Sequence, residues 1–62
     1  MVKEVYYHFV DDFGFVPSAT DIVKYLKCAR NYKTTEKVVV SIATRHGLEL
    51  STVNSYPRRI AC

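Results

Sequence analysis

Sixty-two residues, 48% of them apolar, can enclose one small core and leave no room for a deep catalytic cleft. Two glycines and two prolines are too few for a disordered tail, no apolar run reaches the length of a membrane span, and the opening residues lack the apolar centre of a secretory leader, so the expected setting is the cytoplasm. The net charge of +3 is unevenly laid out, with one base against four acids over residues 1–23 and eight bases against two acids over residues 24–62; a basic half of this kind suits a polyanionic partner.

At helical spacing, Val2, Val5, Tyr6, Phe9, Val10 and Phe13 line one side of a first helix over Val2–Phe13, and Lys3, Glu4, Tyr7, His8, Asp11 and Asp12 the other. Gly14 ends it. His8 has no chemical partner near it in sequence and is expected as a surface residue. Phe15 and Val16 lead into Pro17 as an extended link, because the residue ahead of a proline is pushed out of the helical region. Ser18 and Asp21 then form a capping box in its acidic variant, opening a second helix over Ala19–Lys27 with Ile22, Val23, Leu26 and Cys28 as its apolar positions and Lys24 and Lys27 outside.

Residues 28–33 (CARNYK) read as the turn between two helices. Cys28 reads as a small core residue, and Cys62 as free or available to a second chain; no cysteine or histidine stands at metal-ligand spacing. The third helix, over Lys33–His46, has the cleanest two-sided pattern: Val38, Val39, Ile42 and Ala43 face inward, and Thr34, Lys37, Ser41, Thr44 and Arg45 face outward. His46 falls on the apolar side and reads as a partly buried imidazole. Lys24, Lys27, Arg30, Lys33 and Lys37 recur every three or four residues with only Glu36 among them, so the second helix, the turn and the start of the third share one basic side. The plainest reading of that side is a solvated helix face.

After Gly47 the period changes to two. Leu48, Leu50 and Thr52 alternate with Glu49 and Ser51, Asn54 and Ser55 are turn formers, and Tyr56–Cys62 alternates again. This predicts a β-hairpin with Asn54–Tyr56 as its loop if Leu50 and Ile60 face the core together, and with Pro57 at a strand start. A competing register makes Ser51–Ile60 a helix, placing Ala43, Gly47 and Val53 at simple helix-turn-helix spacing; Pro57 opposes it, since a proline inside a helix costs about 3 kcal/mol.

Helix, extended link, helix, turn, helix and hairpin is the order of a winged helix-turn-helix domain. PSATDIVKYL followed by TTEKVVVSIATRHGLEL and a terminal hairpin resembles the DNA-binding domain of LexA-type repressors and related small winged-helix regulators. The resemblance implies an α+β fold over residues 1–62, three helices followed by a C-terminal β-hairpin wing, with the third helix in the major groove of double-stranded DNA. By position it makes Tyr32, Lys33, Thr34, Lys37 and Ser41 base-reading candidates, with Arg45 further along, and Asn54, Tyr56, Arg58 and Arg59 wing contacts to phosphate. Lys24, Lys27 and Arg30, with the turn residue Asn31, complete the expected DNA face.

The expected protein is thus a sequence-specific DNA-binding transcriptional regulator of the repressor kind, encoded by a virus or mobile element. It has no expected catalytic residue, metal, cofactor, small-molecule substrate or membrane attachment. A homodimer on a palindrome is expected, because a single domain of this size covers only about 600–1,000 Å² of DNA interface. The alternative is a protein-interaction module, a small inhibitor or adaptor drawing on Tyr6, Tyr7, Tyr25, Tyr32 and Tyr56. An exposed Tyr7 and Tyr25 cluster away from the basic side would favour it.

Overall fold

A computed structural model of the chain describes residues 1–55. Three α-helices are present, α1 (Val2–His8), α2 (Ala19–Ala29) and α3 (Glu36–Arg45), and α1 runs on without a break into a π-helical turn over Phe9–Phe13. The core is formed by Val2, Val5 and Phe9 from the first helical rod, Ile22 and Leu26 from α2, and Val39 from α3. The first rod thus follows the expected stripe. Its last turn widens to π geometry, and Gly14, at φ +82°, closes it with its N–H donating to the Phe9 carbonyl. The Phe9 ring meets Phe13, Phe15 and Tyr25, each edge-on at centroid distances of 5.2 to 5.5 Å.

Helix α2 begins where the capping box puts it. Asp21 N–H donates to Ser18 Oγ at 3.1 Å, and Ser18 N–H donates back to Asp21 Oδ2 at 3.0 Å, both groups buried. Its end lies two residues beyond the expected Lys27, at Ala29. Asn31 takes the left-handed conformation at φ +51°, and the Tyr32 N–H reaches back to the Leu26 carbonyl at 2.9 Å, so the helix is stopped by backbone geometry that asparagine tolerates. Cys28 is half-buried and disulfide-bonded, a correction to its reading as a plain core residue.

Helix α3 starts three residues later than expected. Thr35 is its N-cap, accepting from the Val38 N–H at 3.3 Å, so Lys33 and Thr34 belong to the linker. Only Val39 and Ala43 are buried on it, with Ile42 half-buried. Val38, expected in the core, is exposed: it stands about 100° around the axis from Val39, and the core elements close over only a narrow stripe of α3.

The hairpin wing is overturned. Among the described residues there is no strand and no sheet, and the domain is all-helical. Leu48 and Leu50 do turn inward with Glu49 outside, as a period of two requires. The extended run nevertheless pairs with the entrance to α2: Ser51 N–H donates to the Pro17 carbonyl at 2.9 Å, in an isolated parallel bridge of Ser18 with Ser51. Immediately afterwards the Ser51 hydroxyl accepts from the Val53 N–H and donates to the Val53 carbonyl, bending the chain where a first strand would have to continue. Ser51–Ser55 is not helical either, against the competing register. The rest of the expected hairpin, Tyr56–Cys62, lies outside the described residues.

Candidate nucleic-acid interface

The basic candidates come from three consecutive pieces of chain. Lys24 and Lys27 project from α2, Arg30 and Lys33 from the linker, and Lys37 and Arg45 from α3, and all six are exposed. Among the described residues none of these six is engaged in an ion pair; the close contact of a basic nitrogen with a carboxylate there joins His8 Nδ1 to Asp12, on the first rod. Capping explains the arrangement. Asn31 ends α2 and Thr35 starts α3, so the four residues from Asn31 to Thr34 are held between two fixed helix ends. Lys27, Lys33 and Thr34, with Val23, line a shallow open depression of about 340 Å³ where the outer side of α2 meets the linker.

The structure reassigns several expected site residues. Tyr32, Lys33 and Thr34 lie ahead of α3, where Tyr32 is exposed and Thr34 half-buried, so only Lys37, Ser41 and Arg45 of the base-reading candidates project from the helix itself. Asn31 is the helix stop through its backbone, with its side chain exposed. Asn54 accepts a hydrogen bond from the Ser18 hydroxyl at 2.7 Å, beside the first turn of α2. The linker leaves from the other end of that 11-residue helix, about 16 Å away at 1.5 Å per residue. Asn54 and the basic linker are therefore not brought together. Tyr56, Arg58 and Arg59 lie outside the described residues.

Sequence reasoning placed Val38 inward and so missed that it is exposed, as Val40 is, beside Lys37 and Ser41. The available signal was the narrowness of the apolar stripe, since positions 39, 42 and 43 together span only about 100° of the helix surface. It also missed an open groove of about 570 Å³ between the first rod and the segment after α3, lined by Tyr6, Tyr7, Val10, Val16, Leu48 and Leu50 among others. There the Tyr6 hydroxyl donates to the Glu49 carbonyl at 2.9 Å, tying the two walls together.

The tyrosines do not form the cluster that would favour a protein-interaction module. Tyr7 is exposed and its ring meets Tyr6, whereas Tyr25 is half-buried against His8, Phe9 and Phe13. His8, expected at the surface, is half-buried there with its Nδ1 against Asp12. His46, expected to be partly buried, caps the end of α3 and is exposed. Among the described residues no helix is long and apolar enough to cross a membrane. Compared with protein-family models, characterised proteins and solved structures, the chain matches none.

Proposed function

We propose that this domain binds double-stranded DNA sequence-specifically, with α3 lying in the major groove and Lys24, Lys27, Arg30 and Lys33 on the flanking phosphates. The observation that carries this reading is the pairing of a helix exposed on all but the stripe of Val39, Ile42 and Ala43 with a run of cations that the described acids leave unpaired. A helix of ten residues is about 15 Å long and 10–12 Å across with its side chains, a fit to a groove about 12 Å wide. Lys37 and Ser41, one turn apart on the outermost ridge, are the base-reading pair, with Arg45 beyond them. Phosphate contacts position the domain and the ridge reads sequence.

The biological reading is a small transcriptional regulator of a virus or mobile element, working as a homodimer on a palindrome in the cytoplasm. A disulfide at Cys28 is more typical of oxidising compartments, so cytoplasmic activity requires that DNA binding survive reduction. The second reading is a protein-interaction module, and the groove beside Tyr7 and Val16 is the observation that favours it. Selection of the chain on random duplex DNA with reductant present separates the two. Enrichment of a motif supports the regulator; no retention on any duplex removes it.

A further inference from the structure

We propose that Val38 and Val40 make this domain selective for thymine, each packing against the C5-methyl group of a thymine in the major groove. The inference rests on the DNA-binding reading of α3 and adds the base class that the helix prefers. Val38 and Val40 are 45% and 46% exposed. Neither side chain packs into the core, and a β-branched residue lowers helix propensity, so the fold of a short helix gains little from them.

Their placement is specific. Lys37 and Ser41 form the ridge pointing directly away from the buried stripe, and the two valines stand roughly a quarter turn to either side of that ridge. A helix as wide as the groove it occupies presses both flanks against the groove contents. Those contents are hydrogen-bonding base edges, charged phosphates and one apolar group, the thymine methyl. Valine has no hydrogen-bonding side-chain atom and is too short to bypass the base edge, so the methyl is the group it matches. Arg45, on the flank of Val38, and Lys37, next to Val40, are exposed and cationic, which suits a polyanionic occupant over an apolar protein surface.

The test starts from the duplex that the chain selects. Each thymine in turn is replaced by deoxyuridine, which lacks only the C5-methyl, and Kd is measured by fluorescence anisotropy for the unsubstituted chain, V38A and V40A. Both positions are exposed and alanine favours the helix, so the variants keep the fold, as circular dichroism checks. Loss of the methyl at one or two thymines is expected to weaken binding about fourfold each. V38A or V40A is expected to lose that dependence at the matching thymine. Equal affinity for every uracil duplex, a methyl dependence unchanged in both variants, or a selected motif without thymine overturns the inference while DNA binding stands. A chain that retains no duplex at all overturns the DNA reading, and this inference with it.

Discussion

Asp21 accepts hydrogen bonds at the same oxygen, Oδ2, from the Ser18 N–H at 3.0 Å and from the Ser55 N–H at 3.1 Å. One buried carboxylate therefore both caps α2 and holds chain that lies 34 residues further on. The Ser18 hydroxyl, accepting from Asp21 N–H and donating to Asn54 Oδ1, repeats the link at the same corner. Residues 51–55 are thus fastened to the entrance of α2.

Removing that carboxylate is expected to be severe. In Asp21→Ala the Ser18 and Ser55 N–H groups lose their acceptor, one at a buried site, at a cost of about 2–3 kcal/mol. For a domain of this size that lowers Tm by at least about 10 °C, measurable by circular dichroism. Asp21→Asn keeps the shape and one acceptor oxygen and is expected to lose less. An alanine variant that melts with the parent contradicts the linking role.

Phe9 is fully buried, and its ring meets Phe13, Phe15 and Tyr25. Phe9→Ala is expected to cost about 3–5 kcal/mol, which takes much or all of the stability of so small a domain. Thermal melts or amide-proton dispersion of the variant provide the check, with loss of cooperative unfolding expected.

Two of the three left-handed positions among the described residues, Gly14 and Asn31, behave oppositely on substitution. Gly14 has open space where a Cβ would stand, so Gly14→Ala meets no steric clash and pays only the backbone cost, about 1–2 kcal/mol. Asn31→Gly relieves a left-handed residue and is expected to leave stability within about 0.5 kcal/mol of the parent. As the helix stop, Asn31 is also expected to tolerate glycine with little change in duplex affinity, whereas a base-reading Asn31 would lose the selected motif.

Phosphate and base contacts separate by their signatures. Lys27→Ala and Arg30→Ala are each expected to weaken all duplexes about equally and to reduce the salt slope by about one. Lys37→Ala is expected to relax the selected motif. Titrations of selected and scrambled duplexes at two salt concentrations distinguish these outcomes.

The order and approximate extent of the helices were legible because local chemistry governs them. The stripe of Val2, Val5 and Phe9, the Ser18 and Asp21 box, and Gly14 as a stop all operate within a few residues. The third helix begins later than expected because Thr35 caps it, and apolar spacing marks the inward side of a helix without marking its first residue. The strand expected from Leu48 onward failed for a nonlocal reason. Alternation marks an extended segment but does not name its partner, and Ser51 pairs with the corner at Pro17 and Ser18 instead of starting a ladder. Asn54 was expected on phosphate through its position in the wing that the resemblance implied; its partner, Ser18, is 36 residues away in sequence.

Amide chemical-shift mapping of the ¹⁵N-labelled chain against its selected duplex most directly tests whether α3 is the DNA-reading element. The expected result is that shifts concentrate on the outer side of α2, the linker and α3, strongest around Lys37 and Ser41, while the Tyr6 to Val10 wall and Leu48 to Ser51 stay near their free positions. Shifts confined to the Tyr6 and Tyr7 groove, or an unchanged α3 in a saturated complex, would contradict it.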